Sequence, residues 1–261
     1  MTVQARARIP VLLYHRIDRE KDPVHRSYCI DPDVFEKQMA WLKKEGYTTI
    51  SLTDLQQYYQ QGGSVPERSI VLTFDDGFYC NYTRAYPILQ QQEFIATIFL
   101  TTDLIRNPVP VAESKDSFLS WDEIKEMYQA GFSFQSHGCS HRPLDTISLE
   151  EVSREAHESK ASIEKALRTE VKYFCYPFSR FNEAIKRIIK REGYIGACGG
   201  PPFWQDGPRD WFEIGRTEIL WSDSFAQFRF KVKRGLGYYY FTKRQLGKLK
   251  KKFLMTHAHT I

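Results

Sequence analysis

The chain has 261 residues, of which 42% are hydrophobic, and it carries a formal net charge of +5. This length suits one large α/β barrel or two small domains, and the hydrophobic content is sufficient for a substantial core. The charge is modest and is concentrated near the C-terminus, whereas a nucleic-acid-binding protein carries its basic residues over a binding face. We therefore expect no nucleic-acid partner.

Short apolar runs alternate with helical patterns along most of the chain. The predicted strands, in chain order, cover residues 11–15, 47–50, 69–75, 96–100, 132–136, 171–176, 194–197 and 214–219. Several intervening helices have start signals: Asp31 precedes Pro32, and Ser120 and Ser148 each stand three residues before a glutamate, as in a capping box. The alternation predicts a parallel sheet, and the number of units predicts its closure into a distorted (β/α) barrel.

Residues 1–221 are predicted to form a single barrel domain, because no internal repeat or low-complexity linker interrupts them. The polar stretch 104–117 contains proline and is predicted to be a loop over the site. Residues 222–261 form a basic, aromatic-rich tail with helical patterning. Such a composition favours a membrane surface, so peripheral membrane contact is one interpretation of this tail. The alternative is a solvated pair of helices that closes the bottom of the barrel.

The five cysteines are an odd number without paired spacing, which indicates free thiols in a reducing compartment. The N-terminal residues lack the apolar run of a signal peptide, and no run in the sequence reaches transmembrane length. We therefore expect a cytoplasmic location, with the inner face of the membrane as an alternative.

The polar residues with the clearest chemical meaning follow predicted strands. Asp75 and Asp76 end one strand, and His137 and His141 follow another. Because catalytic groups of a parallel barrel gather at the C-terminal ends of its strands, we expect these side chains to lie close together. One carboxylate and two imidazoles form the ligand set of a catalytic zinc site, and the second carboxylate stays free to accept a proton from water. Taken alone, the acidic pair is explained more simply by a turn, and the two histidines by ordinary loop residues. Taken together, the four residues predict a metal-dependent hydrolase.

Two segments carry a more specific signal, namely Thr73-Phe74-Asp75-Asp76-Gly77 and His137-Gly138-Cys139-Ser140-His141. They resemble the first two motifs of the polysaccharide deacetylase family, carbohydrate esterase family 4, with its NodB-type domain. The resemblance covers about residues 8–220 and implies a distorted barrel that removes acetyl groups from sugars with one divalent metal. It implies Asp75 as the catalytic base, and Asp76, His137 and His141 as ligands of Zn²⁺, with Co²⁺, Ni²⁺ or Mn²⁺ as alternatives.

The third family motif is matched only in part. Its proline and aromatic residue correspond to Pro177 and Phe178, but Cys175 stands where the family has an arginine. Arg216, on the predicted strand 214–219, is our candidate for the missing arginine. The resemblance implies that the Phe178 N–H stabilises the oxyanion of the reaction, with Tyr176 beside it at the substrate. Asp210-Trp211 is a weak match to the fourth motif and adds Trp211 to the predicted substrate site.

The last family motif, Leu-x-His, has no convincing copy near the C-terminus. Leu13-Tyr14-His15 ends the first predicted strand instead, and this placement resembles the circularly permuted branch of the family. The resemblance implies that His15 protonates the leaving amine and that Leu13 lines the pocket for the acetyl methyl group. The alternative is that His15 is a strand-end residue that packs on the barrel.

These patterns predict a metal-dependent deacetylase whose partner is an N-acetylated sugar. The substrate would be an amino sugar in a polysaccharide, an oligosaccharide or a lipid-linked precursor. Two alternatives remain open: a deformylase or small-molecule amidase of the same family, and a carbohydrate-binding relative without catalysis.

Overall fold

A computed structural model of the chain describes residues 7–19, 26–106, 117–200, 208 and 210–234. Most of the predicted loop over the site and the tail beyond residue 234 lie outside the described residues. Within them the strands are β1 Val11–Tyr14, β2 Arg16–Ile17, β3 Cys29–Ile30, β4 Thr48–Thr49, β5 Ser69–Phe74, β6 Thr97–Leu100, β7 Ser133–Ser136, β8 Tyr173–Cys175, β9 Gly196–Gly200, β10 Ile214–Gly215 and β11 Thr217–Glu218. The helices are α1 Pro32–Lys44, α2 Leu52–Gln56, α3 Tyr86–Gln91, α4 Trp121–Gln129, α5 Leu149–Leu167, α6 Glu183–Arg191 and α7 Phe225–Arg234.

The main sheet is parallel and closes on itself. Its strand order is β10-β9-β8-β7-β6-β5-β1-β11, and β4 pairs with β5 outside this path. Its two end strands, β10 and β11, are consecutive in the chain and separated only by Arg216, so the last strand segment pairs with β9 on one side and with β1 on the other. The predicted (β/α) barrel is confirmed. The predicted strand over 214–219 is split at Arg216, because Ile214 and Gly215 pair with β9 whereas Thr217 and Glu218 pair with β1.

Local sequence signals explain where the helices begin. The predicted capping boxes at Ser120 and Ser148 are both present, and Asp31 accepts a hydrogen bond from the Asp33 N–H at 2.9 Å. Each cap satisfies backbone N–H groups that have no partner within the helix. A further capping box between Ser51 and Asp54 starts α2 and was not among the predicted signals.

Side chains alternate between two apolar layers along the strands. One layer fills the barrel and includes Val11, Val71, Phe99, Tyr173 and Ile214; we call it the interior cluster. The other layer lies between the strands and the helices and is the larger of the two. Because side chains two residues apart on a strand share a face, the interior position of residue 71 also directs residues 73 and 75 into the barrel.

Helix α7 belongs to the packed domain. Phe228 and Val232 are completely buried, and the Phe228 ring packs edge-on against Trp41 with centroids 5.7 Å apart. The apolar face of this helix completes the core, and the domain boundary after residue 221 stays a prediction. Membrane contact through this part of the tail is not supported, since its aromatic side chain Phe228 is in the core. None of the seven described helices combines the length and apolar character that a bilayer-spanning segment needs.

Candidate active site

The two acidic residues at the end of β5 point in different directions. Asp75 continues the alternation of the strand into the barrel and is 3% exposed. Asp76 has a φ of 73°, in the left-handed region, which turns its carboxylate away from that of Asp75. Gly77 follows with a φ of 77°, and a Cβ atom there would lie 2.8 Å from Leu100 Cδ2. A side chain at position 77 would therefore be strained by the left-handed backbone and would push the end of the Leu100 side chain aside.

Asp75 is held by Arg216. The guanidinium donates to Oδ1 at 2.6 Å and to Oδ2 at 2.7 Å, and both side chains are buried. Two parallel hydrogen bonds of this kind fix the orientation of a carboxylate as well as its charge. Burial acts to raise the pKa of Asp75, but the charge and hydrogen bonds of Arg216 outweigh it and hold this pKa below its usual value. Asp75 is therefore ionised at neutral pH and can accept a proton.

Cys175 explains how Arg216 gains access to Asp75. Its thiol lies 3.4 Å from Asp75 Oδ2 and 3.0 Å from Arg216 Nη2, inside the barrel. Burial raises the pKa of this thiol, so it is neutral beside the ion pair. An arginine at position 175 would place a second cation in the same buried space. The structure thus places Arg216 against Asp75, in the role predicted for the missing motif arginine.

The side chains of Asp76, His137 and His141 form the predicted ligand cluster. The Nε2 atoms of His137 and His141 lie 3.3 Å and 3.0 Å from Asp76 Oδ1, and the three ligand atoms are all within 4.8 Å of one another. Asp76 Oδ1 is buried, yet within the described part of the chain it has no partner in hydrogen-bonding geometry. The two ring nitrogens thus approach this oxygen without satisfying it. A divalent cation bound by all three groups fits this donor set.

The backbone around β8 selects the form of His137 that can bind a metal. The Nδ1 atom of this ring lies 2.8 Å from the carbonyl oxygen of Cys175. A carbonyl can only accept, so Nδ1 carries the hydrogen, and Nε2, which faces Asp76, is the atom left to bind a metal.

The loop that carries both histidines is anchored by Glu155 on α5. Its carboxylate accepts hydrogen bonds from the N–H groups of Cys139 at 2.6 Å and Ser140 at 2.9 Å, and from the Ser140 hydroxyl at 2.5 Å. Glu155 is 5% exposed, and it was absent from the residues predicted from sequence. The sequence does contain a signal, because a glutamate on the apolar face of an amphipathic helix needs buried partners.

The residues at the end of β1 also reach the site. Tyr14 pairs in register with Phe74, so the next residues, His15 and Asp75, are neighbours at the mouth of the barrel. Leu13 pairs with Thr73 and with Glu218 and is partly exposed at the same end. The structure thus brings His15 and Leu13 beside the acidic pair.

Of the next two predicted substrate residues, Phe178 lies at the site and the Tyr176 side chain does not. Phe178 lies at the mouth, with its ring 4.7 Å from that of His141 and a φ of 58°. The Tyr176 side chain is 1% exposed and stacks on Phe181 in the outer layer, so it does not line the site as predicted. The reason is strand alternation, since Tyr176 and Phe174 lie on the face that packs against the helices.

Trp211 is not brought to the ligand cluster. Its carbonyl oxygen accepts a hydrogen bond from the Ala197 N–H at 2.7 Å, in the middle of β9 and short of the carboxyl edge. Its ring packs against the interior cluster. The weak match to the fourth motif therefore does not place an aromatic ring beside the other predicted residues.

A closed parallel barrel with this ligand cluster and an ionised carboxylate at its carboxyl edge defines a NodB-type barrel of the hydrolase class. The family profile described as polysaccharide deacetylase matches residues 62–197, and the chain belongs to this family.

Individual relatives agree with this assignment. The chain is 29% identical over 188 residues to YxkH of Bacillus subtilis (strain 168), covering 72% of this chain and 63% of that protein. It is 29% identical over 185 residues to the poly-beta-1,6-N-acetyl-D-glucosamine N-deacetylase of Staphylococcus aureus (strain MSSA476), covering 64% of this chain and 60% of the relative. The chain thus spans less than two thirds of the length of these curated relatives. Its fold is similar to that of the Streptococcus pyogenes deacetylase PplD in complex with acetate, with a TM-score of 0.78, 26% identity, and coverage of 88% of this chain and 99% of PplD.

Proposed function

We propose that the protein is a metal-dependent deacetylase that hydrolyses the N-acetyl group of an amino sugar in a polysaccharide, an oligosaccharide or a lipid-linked precursor. The observation that carries this proposal is the convergence of His137 and His141 on the unsatisfied oxygen of Asp76, beside an ionised Asp75. The Staphylococcus aureus relative is named for N-deacetylation of an amino-sugar polymer, and PplD is described in complex with acetate, the product of such a reaction.

Asp76, His137 and His141 would hold the metal, for which Zn²⁺ fits best and Co²⁺, Ni²⁺ or Mn²⁺ are alternatives. When bound, such an ion polarises the acetyl carbonyl and lowers the pKa of the attacking water. The left-handed backbone at Asp76 and His141 and the anchored loop prearrange the three ligands.

The chain's own groups account for the proton transfers. Asp75 accepts a proton from water while the water oxygen forms a bond to the acetyl carbon, and Arg216 keeps this carboxylate ionised and oriented. The N–H of Phe178 donates to the oxyanion at the mouth of the barrel. His15 gives a proton to the sugar nitrogen as the C–N bond breaks, and Leu13 borders the acetyl methyl group.

Three variants test these roles. Asp75→Asn and His15→Ala are expected to retain bound metal and to lose acetate release by about 10²- to 10⁴-fold, because each removes a proton-transfer group. His137→Ala is expected to lose the metal itself. Metal content is measured by elemental analysis, and acetate is measured with a panel of N-acetylated sugars.

Asp33→Asn, an exposed carboxylate at the start of α1, is the matched control and is expected to behave as the wild type. Unchanged turnover in Asp75→Asn would discard the assignment of the base. Release of formate instead of acetate from the matching N-formyl compounds would favour a deformylase, and metal binding without any hydrolysis would favour the carbohydrate-binding alternative.

A further inference from the structure

Three aromatic side chains of the described residues are about half exposed: Tyr28 at 50%, Trp221 at 47% and Phe178 at 60%. The other exposed large hydrophobic residues in these ranges are aliphatic. Aromatic rings gain much from burial, so rings left in solvent at one end of a molecule indicate a binding surface.

Tyr28 lies beside the proposed catalytic acid. The short pairing of β2 with β3 places Arg16 opposite Cys29, which makes their preceding residues, His15 and Tyr28, neighbours. The two rings are in contact, with centroids 5.0 Å apart and an interplanar angle of 51°. The exposed part of Tyr28 therefore extends the surface around His15.

Trp221, from the other end of the chain, lies close to Tyr28 at the mouth of the barrel. It follows the C-terminal end of β11 by three residues, and its N–H donates to the carbonyl oxygen of Ser27 at 3.4 Å. We call Tyr28 and Trp221 the aromatic rim. In the closed sheet β1 and β11 are neighbours, whereas β8, which precedes Phe178, lies across the barrel.

The position of the aromatic rim relative to the ligand cluster and His15 indicates what it binds. The ligand cluster would receive the acetyl group, and His15 would protonate the nitrogen that stays with the sugar. The sugar, and any units attached to it, must therefore lie on the His15 side of the site. This is the side that carries the aromatic rim.

We propose that the aromatic rim is a stacking platform for a sugar unit adjoining the reacting amino sugar, so that the substrate contains at least two linked sugars. A pyranose ring has an apolar face of C–H groups and a polar edge of hydroxyl groups. Stacking on Tyr28 or Trp221 buries that face and leaves the hydroxyl edge in water. This inference rests on the proposed function, and it argues against a small amide as the substrate, because such a molecule would not reach the rim.

The experiment measures how sugar length affects binding, with a reporter that contains no sugar. The readout is the hydrolysis of 4-nitrophenyl acetate by the metal-loaded protein, which the proposed function leads us to expect. N-acetylglucosamine oligomers of one to five units, β-1,4-linked and β-1,6-linked, are added as competitors. In the wild type we expect inhibition to become stronger from one to two units in at least one series. In Tyr28→Ala and Trp221→Ala this gain is expected to shrink, by about tenfold or 1.4 kcal/mol when both are combined.

Two further variants separate stacking from general damage. Tyr28→Phe keeps the aromatic face and is expected to keep the length dependence. Ile195→Ala changes an exposed hydrophobic residue before β9, at the opposite end of the barrel, and is expected to match the wild type.

Inhibition that is equal for one unit and for two to five units in both series would overturn the platform while leaving the proposed function in place. An equal length dependence in the wild type and the double alanine variant would also overturn it. Absence of ester hydrolysis by the metal-loaded wild type would instead count against the proposed function itself.

Discussion

Asp75 and Asp76 are chemically identical neighbours, and their surroundings give them different tasks. Strand alternation directs Asp75 into the barrel, where Arg216 neutralises it with two hydrogen bonds. The left-handed conformation of Asp76 directs the next carboxylate to the histidines. For a residue other than glycine this conformation costs about 1–3 kcal/mol, which the surrounding hydrogen bonds and packing must offset.

Arg216→Lys tests the control of Asp75 by its partner. A single ammonium cannot reproduce two parallel N–H donors, so part of the interaction that lowers the pKa of Asp75 is lost. The pKa of Asp75 is expected to rise, and because the base must be ionised, the acidic limb of the kcat/KM profile moves to higher pH. Measuring this profile from about pH 2.5, which is below the ordinary aspartate pKa of about 3.9, up to about pH 9 checks the prediction. Arg19→Lys, at an exposed arginine, is the control, and an unmoved acidic limb in Arg216→Lys would contradict the role.

At the level of elements, the loop between β7 and α5 depends on a helix that contributes no ligand. Glu155 satisfies two backbone N–H groups between the histidines, so helix and loop behave as one unit. Gly138 leaves room for this, since a Cβ atom there would lie 3.0 Å from the Glu155 carboxylate.

Glu155→Gln is expected to weaken metal binding. The amide oxygen can still face the two loop N–H groups, but the NH₂ then stands where the carboxylate accepts the Ser140 hydroxyl, and the negative charge is lost. Outer partners of metal ligands typically account for about 10- to 100-fold in affinity. The dissociation constant is measured by competition with a chelator, and turnover is measured per bound metal. Glu158→Gln, an exposed position on the same helix, serves as the control. Equal metal affinity in the two variants would show that Glu155 only supports the fold.

The N-terminus of α5 supplies a prediction about pH. The Ser148 N–H, with its hydroxyl and Arg142, lowers the pKa of Glu151 from 4.5 to about 2. Because the pKa is lower in the folded state, the stabilisation is complete above pH 4.5 and is lost as the pH falls towards 2. In Glu151→Gln this part of the acid dependence of the urea midpoint should be absent. Glu150→Gln removes a charge from the same helical turn and should retain it.

For the whole molecule, closure of the barrel and attachment of α7 are linked. Lys231, 1% exposed, donates to Asp223 at 2.5 Å and to the carbonyl oxygen of Glu218 at 3.0 Å. These bonds connect α7 to β11, the strand that pairs with β1. Part of the segment that looks like a tail in the sequence thus holds the end of the sheet.

Phe228→Ala is expected to lower the free energy of unfolding by about 3–5 kcal/mol, because it leaves a cavity beside Trp41 in the core. Phe225→Ala, at a partly buried ring on the same helix, should cost clearly less. Denaturation in urea measures both, and an effect of Phe228→Ala no larger than that of Phe225→Ala would contradict the inclusion of α7 in the domain.

The sequence by itself determined the barrel, the acidic pair and the two histidines. These are local properties: apolar runs define strands, and residues that follow parallel strands meet at one edge of the sheet. His15 and Leu13 were predicted at the site from a family motif, the resemblance of Leu13-Tyr14-His15 to Leu-x-His at the end of the first strand. The prediction that the Tyr176 side chain lines the site was wrong. Side chains alternate between the two faces of a strand, so an error of one position puts a side chain on the opposite face.

The tertiary structure decided which distant groups complete the site. Arg216 reaches Asp75 across 141 residues only because β10 and β11 close the ring. Glu155 meets the histidine loop through helix packing, and Tyr28 and Trp221 meet at one rim although they come from opposite ends of the chain. The position of α7 in the core is likewise a result of packing, since a basic amphipathic helix suits a solvated surface, a membrane or a protein core until its neighbours are known.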